Sequence, residues 1–152
     1  MNVELRPVKA LPTLMAWRIE VLRCVFKQEP SKRLLVANRR YYRRHIADGS
    51  HIALIANVDG EDCGCGSVCF SEELPSPDNP TGRCAYLMNI YVRESFRNRG
   101  IAHRIIRALI EEARKHECEK IYLETTEEGR PVYETSGFKP LPGIMKYYDT
   151  KH

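Results

Sequence analysis

The residues best suited to chemistry form one short segment, Arg97-Asn98-Arg99-Gly100-Ile101-Ala102, which lies between a predicted strand and a predicted long helix. The first backbone N–H groups of a helix lack internal partners and carry partial positive charge, so they favour an anion such as phosphate. Gly100 permits an unusual φ and a close approach of the backbone to a ligand. Ala102 keeps the first helical turn narrow, while the arginines and the following His103 surround the anion with basic groups. The pattern indicates a ligand that carries a diphosphate rather than a simple carboxylate.

Basic side chains cluster in two places, within a chain of 24 basic and 20 acidic residues and a net charge of +4. The clusters are Arg39, Arg40, Arg43 and Arg44, and then Arg93, Arg97, Arg99, Arg104 and Arg107. The second cluster surrounds the anion segment. The first is interpreted either as a solvated helix face or as an attraction for an acidic ligand. Neither a zinc finger nor an aromatic stacking platform accompanies these charges, so we expect no nucleic-acid partner.

Six cysteines raise the alternative of a metal site or disulfides. Cys63, Cys65 and Cys69 cluster, but no second C-x-x-C or H-x-x-x-H pattern supplies further zinc ligands. The expectation is six free thiols and no metal, with a metal or thiol-based regulatory site as the lesser alternative.

Length and composition indicate one globular domain over residues 1–152, because 43% of the residues are hydrophobic and 29% are charged. No apolar run approaches the ~20 residues of a membrane span. The N-terminus lacks the layout of a signal peptide. We therefore expect a cytoplasmic protein with no membrane contact.

The period of the apolar residues changes along the chain, from helical to strand-like and back. Predicted helices cover residues 12–26, 31–47 with Ser31 as N-cap, 101–116 and 131–136. Predicted strands cover residues 3–6, 51–58, 62–70, 84–92, 121–125 and 144–148. A proline-rich loop, residues 72–82, is either a lid or a connector. This order predicts an α+β or mixed α/β domain in which the strand–helix–strand unit is a parallel crossover.

With these elements in place, the chain resembles the GCN5-related N-acetyltransferase (GNAT) family. The family hallmark, Q/R-x-x-G-x-G/A after its fourth strand, is matched by Arg97-x-x-Gly100-x-Ala102. The flanking matches are Asn89-Ile90-Tyr91-Val92, Arg93-Glu94-Ser95-Phe96, Leu123-Glu124 and Tyr133-Glu134-Thr135-Ser136-Gly137-Phe138. The resemblance is dense over residues 84–140, and the order of elements extends it to the whole chain.

The resemblance implies an acyl-CoA N-acyltransferase fold, a mixed twisted central sheet flanked by helices and split like a V between its fourth and fifth strands. The pantetheine arm of acetyl-CoA would lie in the split and pair with the backbone of Ile90, Tyr91 and Val92. The pyrophosphate would rest on the amides of residues 98–103. Since family members often dimerise, a homodimer is a further possibility.

The resemblance also assigns catalytic candidates. Tyr133 matches the tyrosine that protonates the departing thiolate, although a packed core tyrosine is the alternative. Glu124 is the candidate base, because strand alternation sets it apart from Ile121 and Leu123 on a strand expected to be central. A structural, salt-bridged glutamate is an equal alternative. A backbone N–H near Tyr91 would stabilise the oxyanion.

The sequence thus predicts an acetyl-CoA-dependent N-acetyltransferase that acts by direct attack of an amine on the thioester. The acceptor, a small molecule or a peptide amine, is not identified by the sequence. The alternative is a non-catalytic module that binds coenzyme A or a protein partner on the same scaffold.

Overall fold

The computed structural model describes residues 1–150, which form one five-stranded sheet with helices on both faces. The strands are β1 (Val3–Pro7), β2 (His51–Val58), β3 (Glu61–Glu72), β4 (Arg83–Val92) and β5 (Lys120–Leu123). The helices are α1 (Leu11–Cys24), α2 (Lys32–Ala47), α3 (Ile101–Lys115) and α4 (Arg130–Thr135). A single turn of 3-10 helix, Glu94–Phe96, leads from β4 towards α3.

The sheet is mixed, with strand order β1-β2-β3-β4-β5. The first four strands pair antiparallel, whereas β5 pairs parallel to β4 after the crossover through α3. Pairing of β4 with β5 ends at Leu87 opposite Leu123, yet β4 continues to Val92. The last five residues of β4 therefore have no strand neighbour on that side within residues 1–150. This opening is the predicted split between the fourth and fifth strands.

Helix α3 covers one face of the sheet with apolar side chains spaced three and four residues apart. Its fully buried members are Ile101, Ile105, Ile106, Leu109 and Ala113. Gly66 of β3 lets the helix approach closely, because a Cβ at that position would collide with the side chain of Ile105. The start of α3 is thereby fixed against the sheet beside the end of β4.

Helices α1 and α2 cover the opposite face. Trp17 and Val21 of α1 pack against Ile55, Cys65 and Tyr91. A neighbouring cluster joins α1 and α2 to β2 through Leu14, Met15, Tyr42 and Ala53. Helix α2 begins at the predicted cap, since the Ser31 hydroxyl accepts a hydrogen bond from the Leu34 amide.

The predicted fold and the order of its elements are confirmed, except for the strand predicted over residues 144–148. That segment forms no strand and leaves Met145 95% and Tyr147 86% exposed. A strand needs a hydrogen-bonded neighbour, and no described strand pairs with this segment. β5 is also shorter than predicted and ends at Leu123. None of the described helices is both long and apolar enough to cross a bilayer.

Candidate functional site

The start of α3 presents unpaired backbone donors. Gly100 occupies the N-cap position with φ of 76°, in the left-handed region, and no side chain caps the helix. No protein acceptor faces the amides of Ile101, Ala102 and His103 in the described chain. A Cβ placed on Gly100 would meet no atom within 4 Å. The site is thus an open row of N–H groups at the positive end of a helix dipole, which suits a phosphate.

Two arginines frame these amides, and each is held by a backbone carbonyl. Nε of Arg97 donates to the carbonyl of Val92 at 3.0 Å. Nη2 of Arg99 donates to the carbonyl of Ser95 at 3.3 Å, and its guanidinium lies 5.3 Å from the centre of the Phe96 ring. These bonds leave further N–H donors on both exposed guanidinium groups. Residues 97–103 are called the anion corner below.

His103 has a different role from the one expected. Its Nδ1 lies 3.0 Å from the hydroxyl of Ser136, and its Nε2 lies 3.4 Å from that of Thr135. Both ring nitrogens therefore face the end of α4 and the turn that follows it. The backbone of His103 belongs to the anion corner, whereas its ring fastens α4 to α3.

The end of β4 carries a bulge where the strand leaves its regular register. Cys65 pairs with Tyr91 and Ser67 with Met88, so Gly66 alone opposes Asn89 and Ile90. Asn89 has φ of 58°, a conformation that asparagine tolerates better than most residues. The bulge re-aims the backbone at Ile90, Tyr91 and Val92, next to the opening between β4 and β5.

Tyr133 lies on α4 and packs against the α3 side of the core, with its ring edge-to-face to Phe138 at 6.1 Å. Burial raises the pKa of its hydroxyl, so the hydroxyl remains protonated at neutral pH. None of the hydrogen bonds described in residues 1–150 uses that hydroxyl. The group is therefore a proton donor without a partner.

The expectation of Glu124 on a central strand is wrong. β5 is the edge strand of the sheet, and Glu124 follows its last residue in an exposed position. It lies beside Tyr86 of β4, where burial, with smaller contributions from the charge of Glu124 and a hydrogen bond to it, raises the pKa of Tyr86 to about 12. The strand ends early because pairing with β4 stops at Leu123, which places this carboxylate at the mouth of the split.

A cleft of about 250 Å³ opens on the face of the sheet that α1 and α2 cover, opposite the face covered by α3. Arg18 lines this cleft, with Nε donating to Asn38 Oδ1 at 3.0 Å and Nη1 donating to Asn89 Oδ1 at 2.8 Å. The lining residues are Arg18, Ala37, Asn38, Tyr41, Tyr42, His51, Met88 and Asn89. We name it the α1–α2 cleft. The sequence pointed to Tyr41 and Tyr42 only as members of a basic run that could attract an acidic ligand, and it did not identify Arg18, His51 or Asn89 as parts of one cleft.

The comparison with protein families agrees with this geometry. The model of the acetyltransferase (GNAT) family matches residues 12–138, which includes the anion corner, the split and Tyr133. The chain belongs to the GNAT family. It is accordingly an N-acetyltransferase with the fold that the sequence predicted.

Solved structures share the fold of this chain. A predicted acetyltransferase from Clostridium acetobutylicum, crystallised with acetyl-CoA, has a TM-score of 0.89 and 25% identity, with 99% of each chain covered. A GCN5-related N-acetyltransferase from Ralstonia eutropha JMP134 has a TM-score of 0.79 and 24% identity, over 97% of this chain and 99% of the other. Glucosamine-6-phosphate N-acetyltransferase from Arabidopsis thaliana shares the fold at a TM-score of 0.73 and 16% identity, over 97% and 99%. No curated protein matches the sequence.

The end of β4 in this GNAT protein is tied to α1 by one ion pair. Arg93 bonds both carboxylate oxygens of Glu20 at 2.9 Å through Nε and Nη2. Its guanidinium also lies 4.5 Å from the centre of the Trp17 ring. The hydrogen bond from Arg93 lowers the pKa of Glu20 more than burial raises it. This contact fixes α1, which carries Arg18, relative to the strand that leads into the anion corner.

The cysteines of this GNAT protein are free thiols, as expected. Cys63 and Cys65 are buried on opposite faces of β3, and burial raises the pKa of Cys65 to about 12. Within residues 1–150, no group of three or more His, Cys, Asp or Glu side chains is arranged to hold a metal ion. Cys63 and Cys65 are therefore part of the packing on the two faces of the sheet, and Cys69 is half-buried on the same strand.

Proposed function

We propose that this protein transfers the acetyl group of acetyl-CoA to an amine, with the pyrophosphate bound at the anion corner. The observation that carries the proposal is the row of unpaired amides at Ile101, Ala102 and His103 beside the open end of the β4–β5 split. A helix start with no cap and no covering side chain is suited to a phosphate ligand.

The residues present fit an extended thioester arm leading from that corner. Beyond Leu87, β4 has no β5 neighbour, so its outward-facing backbone groups are available to a ligand. Ile90, Tyr91 and Val92 are the residues we propose for this role. One of these groups is already engaged, because the Val92 carbonyl accepts a hydrogen bond from Arg97.

Acetyl-CoA supplies the acetyl group as a thioester, and an amine nitrogen forms the new C–N bond while the C–S bond breaks. The departing sulfur then requires a proton, which the unpaired hydroxyl of Tyr133 is suited to donate. The attacking nitrogen must lose a proton, and Glu124 at the mouth of the split is our candidate acceptor, acting through water. A backbone N–H near Tyr91 would stabilise the oxyanion.

The test is calorimetric titration with acetyl-CoA, followed by assays of thiol release with a panel of amines. Gly100→Glu places a carboxylate among the amides of the anion corner and should weaken binding at least ~100-fold, about 2.7 kcal/mol or more. Gly49→Glu is the matched control, because Gly49 also has positive φ, 77°, and open space where a Cβ would lie. The control should bind acetyl-CoA as the wild type does.

The wild-type affinity should also fall with added salt, since the proposed site binds a charged ligand at exposed groups. Equal binding by Gly100→Glu and the wild type would refute the anion corner. Binding without thiol release from any amine would favour a coenzyme A-binding module over an enzyme.

A further inference from the structure

The α1–α2 cleft contains a guanidinium group that has no acidic partner. Arg18 is half-buried, and its two side-chain hydrogen bonds go to the neutral amides of Asn38 and Asn89. None of the ion pairs within residues 1–150 includes it. A half-buried arginine that is held in place without a negatively charged partner is suited to bind an anionic ligand.

The geometry leaves one edge of that guanidinium free. Of its five N–H groups, the one on Nε donates to Asn38 and one on Nη1 donates to Asn89. Three N–H groups on Nη1 and Nη2 remain, and together they match the two oxygens of a carboxylate or a phosphate.

A second polar group at the cleft is also incomplete. His51 is 3% exposed, and its Nδ1 lies 2.8 Å from the Tyr41 hydroxyl. Its Nε2 is buried and has no hydrogen-bond partner. When Tyr41 donates to Nδ1, the neutral ring carries its proton on Nε2, which is then a donor without a partner in a residue that lines the same cleft as Arg18. Buried polar groups without partners are rare, and this one belongs to a residue of the cleft wall.

Helix α2, which forms one wall of the cleft, is strongly positive and would attract an anionic ligand. Helix α2 carries six Lys and Arg residues and no Asp or Glu. No ion pair described in residues 1–150 neutralises any of them. Such a one-sided charge raises the local concentration of anions and speeds their association.

Resting on the function proposed above, we propose that the acetyl acceptor is a small amine that carries an anionic group, and that Arg18 binds this group in the α1–α2 cleft. The side chain of Asn89 bonds Arg18, and its backbone immediately precedes Ile90, where we place the thioester arm. The anionic group and the reacting nitrogen are therefore only a few bonds apart in the acceptor. The cleft volume, about 250 Å³, is below the ~300–1,000 Å³ of sites for drug-sized ligands and suits a small molecule.

The experiment compares amines in matched pairs by their rate of thiol release from acetyl-CoA. The pairs are the standard L-amino acids against their α-amides, and O-phosphoethanolamine against ethanolamine. The anionic member of at least one pair should have a kcat/KM ten-fold or more above its neutral partner. The pair that shows the difference identifies the group as a carboxylate or a phosphate.

Arg18→Met keeps much of the side-chain length and removes the guanidinium. It should lower kcat/KM for the preferred anionic amine by roughly 10- to 100-fold and leave its neutral partner within about two-fold. Arg18→Lys keeps the positive charge but loses the planar guanidinium that can bond two oxygens at once. Its kcat/KM for the anionic amine should therefore lie between those of Arg18→Met and the wild type. Arg114→Met removes an exposed charge of α3, outside both α2 and the cleft lining, and should behave as the wild type. Thermal unfolding and acetyl-CoA affinity establish that each variant is folded.

The outcomes separate this inference from the function on which it rests. Loss of acetyl-CoA binding in the wild type would remove both. Intact binding with equal turnover of neutral and anionic amines, or an Arg18→Met variant that keeps the anionic preference, would overturn the inference alone. If no amine is turned over, the same panel is tested for a rise in Tm of the coenzyme A complex. No rise with any anionic amine, or an equal rise in Arg18→Met, would also overturn it.

Discussion

The anion corner and the α1–α2 cleft are built in opposite ways, although they lie at the two ends of the same stretch of β4. The corner consists of consecutive residues whose backbone amides are exposed at a helix start. The cleft consists of side chains from α1, α2, β2 and β4, among them the buried His51 and the half-buried Arg18. The first depends on local backbone conformation, and the second depends on tertiary packing.

The two regions should therefore differ in their tolerance of side-chain substitutions. A site made of main-chain groups is insensitive to most side-chain substitutions, and it binds a ligand part common to many enzymes. A site assembled from distant side chains changes with any of them, which suits the recognition of one acceptor class. Variants that affect one region and spare the other therefore test whether the two are separable.

The largest effect should come from Tyr133→Phe, which removes only the unpaired hydroxyl and keeps the ring against Phe138. If this hydroxyl protonates the leaving thiolate, kcat should fall by about 100-fold, at the lower end of the usual range for general acids. The dissociation constant of acetyl-CoA, measured by calorimetry, should change less than two-fold. Tyr147→Phe, at a side chain 86% exposed, is the control. An unchanged kcat would leave Tyr133 with a packing role alone.

The second-largest effect should come from His51 in the α1–α2 cleft, which should make the free energy of unfolding depend on pH. Burial, with smaller contributions from the charges of His45 and Arg18, lowers the pKa of His51 from 6.5 to about 4. Between these two pKa values the unfolded chain binds more protons at His51 than the folded chain does. The contribution of His51 to the free energy of unfolding is therefore fully present above about pH 6.5 and is lost as the pH falls towards 4. The free energy of unfolding should lose about 2 kcal/mol from this group between pH 7 and pH 5.

Urea unfolding at the two pH values measures this loss. His51→Gln should abolish most of the decline because glutamine does not titrate, whereas His116→Gln, at an exposed position, should retain it. The same decline in wild type and His51→Gln would mean that other groups cause it. The backbone amides of the anion corner do not titrate in this range, which sharpens the contrast between the regions.

The same contrast explains how much could be predicted from sequence. The helix start at Ile101 was predictable because Gly100 and Ala102 lie within one turn of it and the apolar period of α3 begins there. Arg18 and Asn89 are 71 positions apart, and no local pattern connects them. The cleft therefore could not be predicted before the sheet register placed α1 over β4.

The two wrong predictions from the sequence, the strand over residues 144–148 and the central position of Glu124, also arise from contacts between residues far apart in the chain. Residues 144–148 have strand-forming side chains, but no neighbouring strand supplies the hydrogen bonds that a strand needs. Glu124 was expected on a central strand, whereas β5 is the edge strand and its pairing with β4 ends one residue before Glu124. Both outcomes depend on which strand lies next to which, and side-chain patterns do not encode this directly.

A smaller effect should follow from breaking the contact that joins the two regions. Arg93→Met removes the paired hydrogen bonds to Glu20 and the contact with Trp17. Because the Arg93 side chain is 41% exposed, we expect a loss of about 1 kcal/mol in the free energy of unfolding at pH 7. The pKa of Glu20 is lowered, so the wild-type contribution is present above its ordinary value of 4.5 and disappears as the pH falls through the lowered value.

Arg114→Met is the matched control for that variant, since its pair with Glu111 lies on the solvent side of α3 with both side chains more than half exposed. It should change the unfolding free energy by less than about 0.5 kcal/mol. A loss in Arg93→Met no larger than in this control would show that the ion pair does not hold α1 to β4.

The smallest effect should arise at the first turn of α2. Ser31→Ala removes the hydroxyl that caps the Leu34 amide and should cost about 1 kcal/mol or less, measured by urea unfolding. Because α2 carries Asn38, Tyr41 and Tyr42 of the cleft, the weakened helix start should raise the KM for the acceptor slightly while acetyl-CoA affinity stays unchanged. Ser31→Asp preserves the capping oxygen and should restore both values. If Ser31→Ala weakens acetyl-CoA binding as much as acceptor binding, the two regions are coupled through the sheet and are not independent sites.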